Sequence, residues 1–306
     1  MRDALVSALI ERAEQDPNII LLTGDLGFGV FEEYAERHPK QFFNVGIGEQ
    51  NMVGVAAGLA LSGKKIVVYS IGNFPTLRCL EQIRNDVCYH DLDVILVCQG
   101  GGFNYGGLGM SHHATEDLSI MRAMPGIKVV APSSRSSAKD AINDLLSEGG
   151  PGYLRLEKTN ADKWLENHYC LGKANVLVDG DDVAIFAVGG IVSEAVEARK
   201  ILFEKHGVSC RVIDVFTLKP FDANQVLQAA KEVKGIITIE ENNLLGGLYG
   251  AVAEILCANN SCVPVVGIGM KDAYTSIVGS QDYLRSYYGI DKVSICNAAL
   301  GLLAKV

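Results

Sequence analysis

Apolar positions along this chain alternate between two spacings. Residues 5, 6, 9, 10 and 13 mark one face of a helix over residues 2–16, and Pro17-Asn18 ends it. Ile19-Ile20-Leu21-Leu22 is a short run with no polar face, which predicts a buried strand, and Thr23-Gly24-Asp25-Leu26-Gly27-Phe28-Gly29 is the loop at its carboxyl end. The alternation continues with a helix over Glu32 to Arg37, a strand over Phe42 to Val45 and a helix carrying Met52, Val53, Val55, Ala56, Leu59 and Ala60. Strands over Lys65 to Tyr69, Val94 to Cys98, Lys128 to Ala131 and Tyr153 to Leu156 are separated by helices over Thr76 to Val87 and Ser136 to Ser147. Strands alternating with helices in this way predict a doubly wound, mostly parallel sheet.

Residues 159–173 break the periodicity and hold the single tryptophan, Trp164, so they read as a crossing segment. A second alternating unit follows. Its strands are expected over Val183 to Ala187, Cys210 to Val215, Ile236 to Ile239 and Val263 to Gly267, and its helices over Val192 to Lys205, Ala223 to Glu232, Leu248 to Ala258 and Lys292 to Lys305. The expectation is an α/β chain of two domains, 1–158 and a smaller 174–306, joined by 159–173. No solenoid-length repeat or low-complexity tract is visible.

Composition narrows the class. A chain of 306 residues with 48% hydrophobic and 21% charged residues has material for a globular core, and no apolar run approaches the roughly 20 residues that span a bilayer. The amino terminus lacks a signal-peptide pattern, so a cytoplasmic location is expected. The net charge of −9, without a cluster of lysines and arginines, argues against nucleic acid as a partner. Eight cysteines form no CxxC pair and mostly lie in apolar runs, so they read as buried reduced thiols.

Two stretches carry candidate chemistry. In Val45-Gly46-Ile47-Gly48-Glu49-Gln50-Asn51 a glycine turn leads from a strand into an apolar helix, and Glu49 falls in that helix's first turn. A carboxylate there can close a capping box or complement the helix dipole, or it can be a working acid. The second stretch, Gln99 to Glu116, crowds Gly100, Gly101, Gly102, Gly106, Gly107 and Gly109 into a loop ending in Met110-Ser111-His112-His113. Glycines permit close backbone approach to a ligand, and a strand-edge imidazole suits proton transfer. Adjacent histidines diverge, and no carboxylate or thiol stands at ligand spacing, so no metal site is expected on this chain.

Val45 to Asn51, followed by Val53-Gly54-Val55-Ala56-Ala57-Gly58-Leu59-Ala60, resembles the pyrimidine-binding segment of the transketolase family of thiamine diphosphate enzymes. The resemblance extends through Gly72-Asn73-Phe74-Pro75 and Thr76 to Gln82, and to Val212 to Asp222 and Ile239 to Leu248 in the second half. It implies that Glu49 hydrogen-bonds a ring nitrogen of the cofactor's aminopyrimidine and promotes its imino tautomer, which activates the thiazolium carbon. By the same resemblance Phe74 stacks on the pyrimidine, with Arg78 as a further cofactor contact, and His112 handles donor oxygens or protons; Asp25 is either a turn residue or a cofactor-site or dimer contact. Arg155, Lys158 and Arg2 are the candidate phosphate contacts. Glu240 and Glu241 look structural.

Departures from the family pattern shape the rest. Leu108 stands where sugar-phosphate transketolases have an aspartate that reads substrate hydroxyls, and glycines follow Gln99 where they have a histidine. The diphosphate and Mg²⁺ cradle of the family is a Gly-Asp-Gly motif with a downstream asparagine, whose oxygens suit a hard cation. Gly-Asp-Gly occurs nowhere in the chain. The resemblance therefore implies the carboxyl-terminal subunit of a split transketolase, with the diphosphate and metal held mainly by an amino-terminal partner subunit. Two chains of each kind would form a heterotetramer moving a two-carbon ketol unit between small sugars. A 2-oxoacid dehydrogenase β subunit, a deoxyxylulose phosphate synthase and a non-catalytic scaffold are the alternatives.

Overall fold

The computed structural model describes residues 1–158 and 168–304. Trp164 and most of the expected crossing segment lie outside the described residues. The first strands are β1 (Ile19–Thr23), β2 (Phe42–Asn44), β3 (Lys65–Ile71), β4 (Val94–Gln99), β5 (Lys128–Val130) and β6 (Gly152–Leu156), all parallel to one another. Their apolar runs have no polar face because helices cover both sides. α1 (Arg2–Gln15) and α6 (Arg135–Glu148) pack on one side. α3 (Glu49–Leu61) and α5 (Asp117–Ala123) lie on the other. Between β1 and β2 runs the short α2 (Glu32–Arg37).

The second sheet holds β7 (Asn175–Val178), β8 (Val183–Ala187), β9 (Cys210–Asp214), β11 (Gly235–Asn243) and β12 (Val265–Met270) in the order β12-β11-β8-β9-β7, with only β7 antiparallel. Its helices are α7 (Val192–His206), α8 (Ala223–Glu232), α9 (Leu248–Ala258), α10 (Gln281–Tyr288) and α11 (Lys292–Leu303). The two α/β sheets match the expected class.

Four elements were not visible as periodicity: α5, β7, α10 and β10 (Thr217–Lys219). The last changes the picture most. Although β10 follows β9 in the second half, it pairs antiparallel with β5 and completes a seven-stranded sheet ordered β10-β5-β6-β4-β3-β1-β2. Three residues ending in a lysine before a proline carry too little pattern to name a sheet.

The halves are also joined by packing. One buried apolar cluster runs from Ile20 and Met52 through Leu118 and Met121 to Ala184, Phe186 and Val252. Polar groups join the halves as well. Asp214, fully buried at the end of β9, accepts hydrogen bonds from the Ser133 hydroxyl and from the Tyr169 hydroxyl at 2.9 Å. Burial pushes its carboxyl up to about 7.

Two further expectations are corrected. The helix over Thr76 to Val87 is instead a 3₁₀ turn (Leu77–Cys79), one α-turn, α4 (Leu80–Gln82), and a π-helical stretch (Ile83–Cys88). Apolar spacing cannot distinguish these windings over so few residues, and π-helical turns are frequent at functional sites. The thiols are free, but Cys170, Cys257 and Cys262 are exposed.

Candidate active site at the carboxyl edge of the first sheet

The loops following β1, β2, β3 and β4 share the carboxyl edge of the parallel sheet, where open α/β folds place ligands. The glycine turn after β2 delivers Glu49 to the first turn of α3, 4% exposed. One carboxylate oxygen, Oε2, accepts a 2.7 Å hydrogen bond from Arg78 Nη1. Arg78 stands in the 3₁₀ turn after β3, and its guanidinium lies 4.5 Å from the centre of the Phe74 ring. That ring, half-buried, meets the His112 imidazole edge-on at 5.3 Å. Glu49, Arg78, Phe74 and His112 thus form one chain of contacts from three separate loops.

The adjacent histidines divide their work. His112 is half-buried, with Nδ1 3.0 Å from the Ser111 hydroxyl. His113 is 2% exposed, and both of its ring nitrogens are engaged. Its Nε2 donates to the Gly106 carbonyl at 3.1 Å, since a carbonyl only accepts, and its Nδ1 is hydrogen-bonded with the Thr275 hydroxyl at 2.7 Å. Asn73 ties the segment down by donating to the His113 carbonyl at 2.5 Å. His113 fastens the loop to the second domain, and His112 is left facing outward.

The loop's glycines have a reason that spacing alone does not reveal. A Cβ on Gly101 would stand 1.8 Å from Arg155 Nε, and one on Gly102 would stand 2.4 Å from a Glu241 carboxylate oxygen. These glycines give way to the protein's own buried charges rather than to a ligand.

Arg155 itself is therefore not available as a phosphate contact. It is 1% exposed, donates to Asp117 Oδ1 at 3.2 Å and to the Glu241 carbonyl at 2.9 Å, and forms an ion pair with Glu157 at 2.9 Å. Each carboxylate in this network compensates a charge that would be costly to bury alone. Lys158 and Arg2 are brought together instead, lining a polar cleft of about 260 Å³ with Gln99, Arg135 and Glu157. Asp25 is exposed at the end of β1, in the left-handed backbone region (φ 57°), and exchanges hydrogen bonds with Asn44 of β2. The structure shows it shaping the sheet edge.

The second-domain glutamates are structural. Glu240 accepts from the Leu248 and Tyr249 amides at 2.7 and 2.8 Å, capping α9, and burial pushes its carboxyl up to about 7. Glu241 accepts from Arg285 Nε at 2.6 Å and from Gln281.

The residues at the edge fit the pyrimidine half of thiamine diphosphate. A buried carboxylate keeps one oxygen, Oε1, outside its ion pair, beside a half-buried aromatic ring. Among the described residues no group of three or more histidines, cysteines and carboxylates could hold a metal ion.

A parallel sheet with a first-turn glutamate at its carboxyl edge, followed by a second α/β domain, defines a pyrimidine-binding module of the thiamine enzyme type. Residues 1–163 match the family model "Transketolase, pyrimidine binding domain", and residues 172–295 match "Transketolase, C-terminal domain". The chain belongs to the transketolase family. An apulose-4-phosphate transketolase subunit of Phocaeicola vulgatus is 37% identical over 308 residues, covering 99% of this chain and 97% of that one. A 6-deoxy-6-sulfo-D-fructose transketolase subunit of a Clostridium species is 36% identical over 303 residues, covering 98% and 93%. Among solved structures, a split gene transketolase described as an inactive β4 tetramer superposes with a TM-score of 0.89 at 33% identity, covering 99% and 97%.

Proposed function

We propose that this chain is the carboxyl-terminal subunit of a split, thiamine diphosphate-dependent transketolase, transferring a two-carbon ketol unit from a ketose to an aldehyde with an amino-terminal partner subunit. The observation that carries this reading is the contact chain Glu49–Arg78–Phe74–His112, built at the carboxyl edge of the first sheet. Near full-length similarity to split transketolase subunits favours it over a 2-oxoacid dehydrogenase β subunit, a deoxyxylulose phosphate synthase or a scaffold.

The cofactor, when bound, supplies the carbon nucleophile that takes up and releases the ketol unit. Glu49 holds or shares a proton with the pyrimidine nitrogen through Oε1, while Arg78 fixes Oε2 and keeps the carboxylate oriented. Phe74 packs on the pyrimidine face, a contact worth about 1 kcal/mol beyond area burial. His112 donates to or accepts from donor oxygens, its ring set by Phe74 and Ser111.

Arg2 and Lys158 form the cationic end of a substrate cleft. The two relatives act, by name, on a phosphorylated and a sulfonated sugar, both anionic, which supports that assignment. Leu108 is exposed where an aspartate would read a hydroxyl, so the donor presents an apolar or differently placed group there.

The partner subunit brings the diphosphate and Mg²⁺ site, and the assembly contains two chains of each kind. Exposed apolar side chains at the sheet edge, Phe28, Ile47, Leu77, Leu108 and Met110, are the surface it would cover. No helix among the described residues is long and apolar enough to cross a membrane, and a cytoplasmic location fits this function.

Calorimetric titration of thiamine diphosphate with Mg²⁺ tests the reading. Binding is expected only when chain and partner are combined, with ketol transfer lowered about 10² to 10⁴-fold by Glu49→Gln. Tight binding by the lone chain would overturn the partner-held arrangement, and unchanged turnover in the variant would overturn the role of Glu49.

A further inference from the structure

Between His112 and the cationic cleft stands an aromatic side chain with no part yet in the reaction. Tyr105 is half-buried in the loop after β4, and its ring meets the His112 imidazole edge-on with centres 6.5 Å apart. The same ring lies on Gly100, where a Cβ would stand 2.1 Å from it, so Tyr105 fills the space that any side chain at position 100 would need. Gly100 directly follows Gln99, which lines the cleft with Arg2 and Lys158. The Arg2 charge is close enough to act on the phenol. Burial pushes the Tyr105 hydroxyl above its usual range, Arg2 pulls it down by less, and the group stays neutral near pH 7.

The backbone on either side of Tyr105 is fixed. Phe103 is fully buried, stacked on Tyr288 of α10 and edge-on to His113. The Asn104 side chain accepts from the Lys158 amide, which holds the loop beside the cleft, and the Tyr105 carbonyl accepts from the Leu108 amide at 2.8 Å. The phenol hydroxyl, by contrast, is uncommitted. It makes no hydrogen bond among the described residues and keeps contact with solvent. A phenol both donates and accepts a hydrogen bond, so it matches a sugar hydroxyl, which does the same.

We propose that Tyr105 is a specificity-determining substrate contact that hydrogen-bonds a hydroxyl in the middle of the ketose donor, between the ketol end at His112 and the anionic end at Arg2 and Lys158. The inference rests on the ketol-transfer reading and names the residue that takes over the hydroxyl contact Leu108 cannot make. A site that hydrogen-bonds a substrate hydroxyl discriminates against analogues lacking it. A ketol donor with no hydroxyl beyond the transferred unit therefore gains nothing from Tyr105.

The test uses the chain assembled with its partner subunit, thiamine diphosphate and Mg²⁺. Ketol transfer is measured from fructose 6-phosphate, from its 6-deoxy-6-sulfo analogue and from hydroxypyruvate, which has no hydroxyl beyond the transferred unit. Tyr105→Phe keeps the ring on Gly100 and against His112, so the fold is retained. For the better ketose kcat/KM should fall about tenfold or more, as expected for a lost hydrogen bond to substrate. For hydroxypyruvate it should change by less than about threefold. A tyrosine that only supports the loop would lower both alike. Equal losses on both kinds of donor, no loss on the ketose, or a parent enzyme that uses hydroxypyruvate and neither ketose would overturn the proposal. A parent assembly that transfers no ketol unit from any of the donors would overturn the transketolase reading itself, and this inference with it.

Discussion

Glu49 and Glu240 are both buried carboxylates beside a helix amino terminus, one on each sheet, and they have opposite fates. Glu240 spends its oxygens on the Leu248 and Tyr249 amides and closes the end of α9. Glu49 gives one oxygen to a half-exposed arginine and keeps the other. His112 and His113 repeat the contrast one residue apart, with both nitrogens of His113 engaged inside the protein. Residue type and burial therefore do not mark a working group. What sets the proposed working groups apart is an oxygen or nitrogen left without a protein partner at an accessible edge.

Substitutions sharpen this comparison. Glu49→Gln in the assembled enzyme is expected to lower turnover by about 10² to 10⁴-fold, the usual worth of a positioned acid or base, with little change in melting temperature. Glu240→Gln should do the reverse. It preserves turnover and costs about 1–3 kcal/mol in denaturant titration, because a backbone donor loses its acceptor.

Arg155→Met separates a buried network from a substrate contact. Removing the cation leaves Asp117 and Glu157 buried without compensation, and the chain should lose about 3–5 kcal/mol of stability. If instead stability held and only the Michaelis constant rose, Arg155 would be reaching substrate after all. The histidine pair gives a smaller effect of the same kind. His113→Ala should cost about 1–3 kcal/mol in stability through its two lost hydrogen bonds. His112→Ala should leave the melting curve in place and lower ketol transfer.

The last comparison is a pH dependence, spread over several pH units. Asp214 is raised in the folded chain from 3.8 to about 7, so between those values the folded state binds the proton that the unfolded state has released. Its contribution is fully present below about pH 4 and is lost as pH rises through 7, by about 1.4 kcal/mol per unit at most. Asp214→Asn should flatten the slope of unfolding free energy across that window. A slope unchanged by the substitution would place the titration elsewhere.

Much of this was legible in the order of residues. Fully apolar strands separated by amphipathic helices specify a covered parallel sheet, since neither face of such a strand can meet water, and α2, β8, α8 and α9 fall at their expected positions. Glu49 in a first turn follows from a glycine turn before an apolar helix. Tertiary structure decided what depends on distant neighbours. Whether Arg155 reaches substrate or Asp117, whether Gly101 faces a ligand or Arg155, and whether Thr217–Lys219 joins its own sheet or the other are settled by contacts across many residues. Local pattern cannot encode those contacts, because periodicity reports which face is buried and not what buries it. Composition and spacing thus determined the layers of this protein, and packing between the layers decided which of its charged groups remain free to act.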